Sequence, residues 1–447
     1  MKKVPNDYYI DIFRKLVKAY NEGTLKEKYE ELIEKAEDEN AKKYIFAAMG
    51  LDYIKNASFE DIKKAMDMKK MKGKIVVKVG DCGIRCIDKD GFTSCQKACP
   101  FGAVDVLLEK NISEINDKCI DCGNCIAACD RGNLIDKIEF LPIVQYLESK
   151  EDVYAIIAPA YIGQFGENVT VGKLRKALKA IGFKDMIEVA LFADILTLKE
   201  AVEFHKHVNK QKDFMITSCC CPMWVAMIKK LYSELVVHVA PSVSPMVACG
   251  RTIKKLHKNS KVVFIGPCVA KKAEAKENDL NDAVDFVLTF KELQEIFDIL
   301  GINPENFCED EGEHASRAGR IYAYTGGVSK AVYDTVNKLF PDRSIKVKAV
   351  QGNGVKECKD MLQKILDEKL EANFLEGMGC VGGCVGGPKS ILSKDEGRKN
   401  VQEYGNQTDM ITPIDNPCVY AVLKEIGIND IYELVDEDKA QIFERRF

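Results

Sequence analysis

The placement of cysteine constrains this chain more than any other feature. None of its 18 cysteines precedes Cys82, eight fall between Cys82 and Cys129, and the remaining ten begin at Cys219. Disulfides belong to oxidising compartments. The N-terminus, MKKVPNDYYIDIF, has neither the apolar core nor the cleavage site of a signal peptide, so a cytoplasmic chain with reduced thiols is expected. Clustered thiols in that setting argue for metal. No run of apolar residues is long enough to span a bilayer, so no membrane association is expected. The net charge of −4 gives no bulk attraction to nucleic acid.

The cysteine distribution also divides the chain. Residues 1–72 read as a helical segment: NDYYIDIFRKLVKAYNEG repeats apolar residues at three- and four-residue spacing, and SFEDIKKAM opens on a Ser N-cap candidate. Residues 73–140 form a dense cysteine module. In residues 141–447 short apolar runs (VYAIIAPAY, KVVFIGPC, RIYAYTGG, SIKVKAVQG) alternate with amphipathic stretches, the rhythm of an α/β domain with buried strands. Gly and Pro cluster where those strands should end, which is where α/β proteins place their chemistry.

Within the module, CIDCGNCIAACD sets Cys119, Cys122, Cys125 and Cys129 at C-x2-C-x2-C-x3-C, a bacterial ferredoxin spacing for a 4Fe-4S cluster. The fourth cysteine of such a run serves the other cluster, so a second set is required. CGIRCIDKDGFTSCQKACP supplies Cys82, Cys86, Cys95 and Cys99, with a wider gap that an Asp-Lys-Asp-Gly loop accounts for. The expected grouping is Cys82, Cys86, Cys95 and Cys129 for one cluster, and Cys99, Cys119, Cys122 and Cys125 for the other. Zinc is the alternative, and eight cysteines in crossed runs argue against it. Two neighbouring clusters make an electron conduit, so something downstream must consume or supply electrons.

Three further cysteine loops follow: TSCCCPMW with Cys219, Cys220 and Cys221; FIGPCVAKKAEA with Cys268; and FLEGMGCVGGCVGGPKS with Cys380 and Cys384. One thiolate from each of the first two and two from the third would hold another cubane, and the glycines permit close backbone approach.

These loops resemble the three signature motifs of the catalytic domain of iron-only (FeFe) hydrogenases, TSCCPxW, MPCxxKxxE and ExMxCxGGCxxGG, and HASRAGRIYAYTGGV also matches. The resemblance implies an α/β catalytic domain, with two parallel or mixed sheets flanked by helices around the H-cluster, behind an N-terminal ferredoxin-like α+β module with two 4Fe-4S clusters. It implies that Cys221, Cys268, Cys380 and Cys384 bind the 4Fe-4S part of the H-cluster. Cys384 would bridge to a diiron azadithiolate unit with CO and CN ligands. Lys271 falls where the family bonds a cyanide, Met378 where a methionine lines the cluster, and Cys220 where a thiol hands on protons, with Cys219 the extra residue. Trp224 would pack beside the cluster. Upstream, FADILTLKEAVEFHKH resembles the family's relay helix: Glu200 and Glu203 match its two glutamates, and His207 its arginine at the channel mouth.

Three positions depart from the pattern. Ala240 replaces the relay serine, Gly266 the methionine ahead of Pro-Cys, and Pro388 a glycine. With the triple cysteine, these changes resemble the sensory branches of the family more than the fast bidirectional enzymes. The resemblance thus implies a hydrogen:acceptor oxidoreductase interconverting H2 with protons and electrons, slow and regulatory. The alternatives are a housekeeping ferredoxin-linked enzyme and a hydrogenase-like iron–sulfur scaffold without the diiron unit. Implied partners are a ferredoxin or other redox protein, hydrogenase maturation proteins and a signalling partner. Cys249, Cys308, Cys358 and Cys418 have no motif and are expected to be buried packing.

Overall fold

A computed structural model describes residues 5–66, 73–80, 86–107, 112–149, 151–218, 220–312 and 314–447. Two of the sequence-derived candidates, Cys82 and Cys219, lie outside the described residues.

The strands are β1 (Val76–Lys78), β2 (Val104–Leu107), β3 (Ile112–Ile115), β4 (Leu134–Asp136), β5 (Val153–Ile157), β6 (Asp185–Glu188), β7 (Met215–Ile216), β8 (Lys261–Gly266), β9 (Phe286–Thr289), β10 (Ala349–Asn353) and β11 (Phe374–Met378). Two parallel sheets form the large α/β part, in the orders β6-β5-β8-β9 and β10-β11-β7. Central strands of a parallel sheet are covered on both faces, which is why VYAII in β5 is apolar at every position and wholly buried. The α/β architecture expected from the sequence is present.

Helices cover both sheets, and one is unusual. Val189–His207 is buried without a break from Val189 to Phe204, although it carries Asp194, Thr197, Lys199, Glu200 and Glu203. It packs against Gly327–Leu339, Pro245–Leu256 and Arg317–Arg320, so those polar groups must find partners inside the protein.

One expectation fails. RIYAYTGG, read as a strand, is the end of a short helix, Arg317–Arg320, followed by a 3-10 turn, Ile321–Ala323. The cause is tertiary. The buried carboxylate of Asp194 accepts from the backbone N–H and hydroxyl of Ser316 and from the N–H of Gly319, satisfying the donors at the start of a helix. A β-rich sequence yields to that anchor.

The N-terminal segment is helical as expected, but LKEKYEELIEKAEDENAKKYIFAAMG breaks into Leu25–Glu34 and Glu39–Ala48, because the Asp38 side chain caps the second helix at Ala41 N–H. The segment shares one continuous apolar core with the α/β part. Helix Pro5–Asn21 packs on Phe290–Leu300, Phe13 meets Phe140 edge to face, and Tyr9 Oη donates to the carbonyl of Asp136 at 2.7 Å.

The described residues between 73 and 140 include two small antiparallel pairs, β1 with β4 and β2 with β3, beside two short helices, Ser94–Ala98 and Asn124–Ala127. The Asp88–Gly91 insertion folds into a tight turn closed by Asp88 N–H to Phe92 O at 2.9 Å. Among the described residues no helix is long and apolar enough to cross a membrane.

Candidate iron–sulfur centre

Each cysteine loop of the large part leaves the carboxyl end of a parallel strand. β7 runs into Thr217 and Ser218, ahead of Cys220 and Cys221, β8 into Pro267 and Cys268, and β11 into the turn that carries Cys380 and Cys384. β7 and β11 belong to one sheet and β8 to the other, and the third loop touches both of the others, through Gly379 N–H to Cys221 Sγ at 3.3 Å and Lys389 N–H to Pro267 O at 3.1 Å. That explains how thiols separated by more than a hundred residues converge.

Burial and mutual repulsion push these thiols up: Cys268 to about 11, Cys384 to about 12, and Cys380 well above its ordinary value. Cys221 and Cys268 contribute to the repulsion at Cys380 and Cys384, so the four face a common space. The Cys221 Sγ accepts the N–H of Gly379 at 3.3 Å, joining the first loop to the third. Gly383 has φ +82, and an added Cβ would lie 2.7 Å from Thr325 N, so no side chain fits where the third loop turns.

Around this space stand the other sequence-derived candidates. Lys271 is buried and pairs with Glu274 Oε2 at 2.6 Å, a charge contact rather than an aligned hydrogen bond. Burial would lower its pKa, but Glu274 and the Cys268 and Cys384 thiols outweigh that, so the ammonium stays charged. Cys220 Sγ lies 3.9 Å from Met378 Sδ, both buried. Trp224 is fully buried, its Nε1 donating to Thr217 O at 2.8 Å.

The relay candidates divide into two groups. Glu200 accepts from Thr217 Oγ1 at 2.8 and 2.9 Å and so reaches the first cysteine loop. Glu203 instead pairs with Lys199 at 3.1 Å and with the exposed His207 at 3.0 Å. Lys199 also approaches Glu444 at 3.6 Å, near the far end of the chain. Sequence reasoning missed Lys199 and Glu444. A lysine inside an otherwise acidic relay motif was the only available signal, and Glu444 has none.

The departures have local explanations. At Gly266 an added Cβ would meet the Phe264 ring at 2.6 Å, so the phenyl group fills the space of the motif methionine. The carbonyl of Ala240 lies 2.7 Å from Ser218 Oγ, which is also 2.7 Å from Ser242 O, and Ser242 Oγ is buried without a partner. The Ser218 hydroxyl is thus tied to the backbone on either side of Pro241, beside the alanine that replaces serine.

In the module, Cys86, Cys95 and Cys129 line a cavity of about 300 Å³, while Cys99, Cys119, Cys122 and Cys125 line a separate apolar one with Val76 and Phe101. Backbone N–H groups already point at the sulfurs: Ala103 to Cys99 at 3.2 Å and Asp121 to Cys119 at 3.3 Å. The second set adjoins the large part, since Cys122 adds to the repulsion at Cys380, and Cys268 to that at Cys122.

Among the described residues no three His, Cys, Asp or Glu side chains converge closely enough for a single metal ion. Thiols gathered around cavities, with Cys122, Cys125 and Cys384 pushed up to about 12 and Cys268 to about 11, do not ionise together unless a body carrying positive charge enters. Iron–sulfur clusters fit that donor set, and one zinc ion does not. Of the motif-free cysteines, Cys249 and Cys358 are buried packing and Cys418 is half-buried, but Cys308 is exposed, contrary to expectation. It follows the 3-10 turn Pro304–Asn306 on a surface loop, where packing has no hold on it.

Fold and site together define an α/β protein with thiol-lined centres at converging strand ends. The family is that of the "iron only hydrogenase large subunit, C-terminal domain", whose model matches residues 151–388, and the chain belongs to it. It is 26% identical to the NADP-reducing hydrogenase subunit HndD of Solidesulfovibrio fructosivorans, over 69% of this chain and 60% of that protein. It is 29% identical to iron hydrogenase 1 of Clostridium pasteurianum, over 64% and 66% respectively, so the chain spans less than two thirds of either relative. A cytosolic Fe-S cluster assembly factor, the NAR1 homolog of Schizosaccharomyces japonicus, is 26% identical over 47% of each chain. The fold matches FeFe-hydrogenase HydA1 from Chlamydomonas reinhardtii with a TM-score of 0.56 and 18% identity, over 68% of this chain and 97% of that one.

Proposed function

We propose that this chain is an FeFe hydrogenase interconverting H2 with two protons and two electrons, with a slow, sensory role. One observation carries the reading. Four half-buried thiols from three strand ends face one space beside a charged lysine and a fifth, buried thiol, Cys220. In this reading Cys221, Cys268, Cys380 and Cys384 would hold the H-cluster, with Cys384 the thiolate on which attachment of the diiron unit would depend. When bound, the H-cluster supplies the metal site for hydrogen and a bridgehead amine.

The chain's own residues then have distinct tasks. Lys271, kept charged by Glu274, offers a fixed donor to an anionic cyanide. Met378 excludes water with a soft apolar side chain. Cys220 holds or passes a proton beside the cluster. Glu200 and Thr217 supply the inner stretch of the proton path, and His207 and Glu203 its outer end. The buried Lys199 engages Glu203 Oε1 at 3.1 Å and so ties up a carboxylate that the relay would need. That pairing, with Ala240 in the relay, supports slow turnover and hence the sensory role.

The ferredoxin-like module would carry two 4Fe-4S clusters, on Cys82, Cys86, Cys95 and Cys129 and on Cys99, Cys119, Cys122 and Cys125. The closeness of Cys122 to Cys268 supports electron exchange with the large part, and a ferredoxin or other redox protein in the cytoplasm would serve the outer end. Maturation proteins would deliver the diiron unit, and a signalling partner would receive the output. The assembly-factor relatives make a cluster scaffold the competing reading; Lys271 and Cys220 beside the fourfold set favour the hydrogenase.

The deciding experiment adds a synthetic diiron cofactor to iron- and sulfide-reconstituted protein and records the infrared spectrum. CO and CN bands should appear in the wild type and vanish in Cys384→Ala while the module clusters stay reducible. Their absence from the wild type would overturn the hydrogenase reading in favour of the scaffold.

A further inference from the structure

The carboxylate of Asp136, at the end of β4, lies where the cysteine module meets the large part and is buried. Its two oxygens are used separately. Oδ2 accepts from Lys272 Nζ at 3.0 Å, and Oδ1 pairs with Lys389 Nζ at 2.6 Å. Lys272 follows Cys268 by four residues, Lys389 follows Cys384 by five, and Asp136 follows Cys129 by seven. One side chain thus ties together three cysteine-bearing segments.

The surroundings reinforce the tie. Lys272 Nζ also donates to the carbonyl of Lys137 and to Glu292 Oε1, each at 2.6 Å. Glu292 is fixed in turn by the N–H of Thr289 at 2.8 Å. The N–H of Lys389 donates to Pro267 O at 3.1 Å, so the Cys384 loop already rests on the residue before Cys268. At Gly123, which starts the helix after Cys122, an added Cβ would lie 3.0 Å from Val269. Lys272 is wholly buried and Lys389 is 21% exposed, so the inner ammonium depends on the carboxylate, an unpaired buried charge being strongly unfavourable.

We propose that Asp136 is a positioning residue, holding the Cys268 and Cys384 loops in register with each other and with the cysteine module through Lys272 and Lys389. The proposal rests on the reading of Cys268 and Cys384 as cluster ligands, but its first test needs no iron. Hydrogen exchange of the full-length apoprotein should show amides in both 266–276 and 384–392 exchanging about tenfold faster or more in Asp136→Asn, with helix 189–204 unchanged. Lys389→Met, at the edge of the network, should speed only 384–392, and adding Asp136→Asn to it should not speed that loop beyond Asp136→Asn alone. Lys389→Met removes the partly exposed cation and leaves Asp136 paired with Lys272, so it decides the matter if Asp136→Asn does not fold. Unchanged exchange in 384–392 of Lys389→Met, or equal acceleration of both loops and the helix in Asp136→Asn, overturns the proposal.

A second readout separates positioning from stability. In reduced, reconstituted protein, magnetic coupling between neighbouring clusters should broaden the electron paramagnetic resonance signal. It should weaken in Asp136→Asn at unchanged iron content. Unchanged coupling would reduce Asp136 to a structural residue. Failure of wild-type reconstitution, with the exchange pattern intact, would count against the cluster reading and not against Asp136.

Discussion

Replacing Gly377 by alanine probes how tightly the candidate centre is built. Gly377 lies in β11, and an added Cβ would sit 2.2 Å from two ring atoms of Trp224 and 2.6 Å from a third. Carbon atoms pack best at about 3.5–4.0 Å, so the indole must retreat by more than about 1 Å. It has nowhere to go, being fully buried with its N–H bonded to Thr217 O. Overpacking of this kind costs about 1–3 kcal/mol, and breaking the indole hydrogen bond about 1 kcal/mol more, giving a loss of about 2–4 kcal/mol. The displacement is also directed. Trp224 follows Cys221 by three residues, and Cys221 Sγ is bonded to Gly379, so the shift reaches a proposed ligand. Trp224 is the sole tryptophan, so its fluorescence reports urea unfolding of the apoprotein from inside the site. The midpoint should fall at unchanged m. Stability within about 0.5 kcal/mol of wild type, with an unshifted native emission, would show that the packing argument is wrong.

Two further outcomes follow from the relay and from Asp136. Cys220→Ala should lower H2 turnover by about 10²–10⁴-fold, the usual weight of an acid–base step, while Glu200→Gln should cost less because Ala240 interrupts the usual route. Near-normal turnover in Cys220→Ala would remove it from the relay and turn attention to Cys219. Burial opposes ionisation of Asp136, but Lys272 and Lys389 outweigh it and hold its pKa below the ordinary value. A lowered carboxylate contributes stability above its unfolded pKa of about 3.9 and loses it as pH falls through the lower folded value. The stability gap between wild type and Asp136→Asn should therefore stay constant from pH 8 to pH 5 and narrow only below about pH 4. Narrowing between pH 7 and pH 5 in urea titrations would contradict that pairing.

The sequence by itself determined the chemistry and the rhythm of this protein. Ligand spacing is a local property, so the C-x2-C runs and the three loop motifs could be read directly, and they led to the family whose model matches residues 151–388. Buried parallel strands such as β5 announce themselves as continuous apolar runs. What only the tertiary structure decided concerns groups whose partners lie far along the chain. RIYAYTGG looks like a strand until Asp194, more than a hundred residues earlier, supplies acceptors for a helix start. Lys199 reads as one more surface lysine until Glu203 and Glu444 enclose it. Asp136 sits in an unremarkable stretch, and only the docking of the cysteine module against Lys272 and Lys389 gives its carboxylate a task. Local pattern encodes which residues can bind iron. Which charges must neutralise one another once water is excluded is set only when distant segments meet, because the cost of a buried charge depends on what faces it.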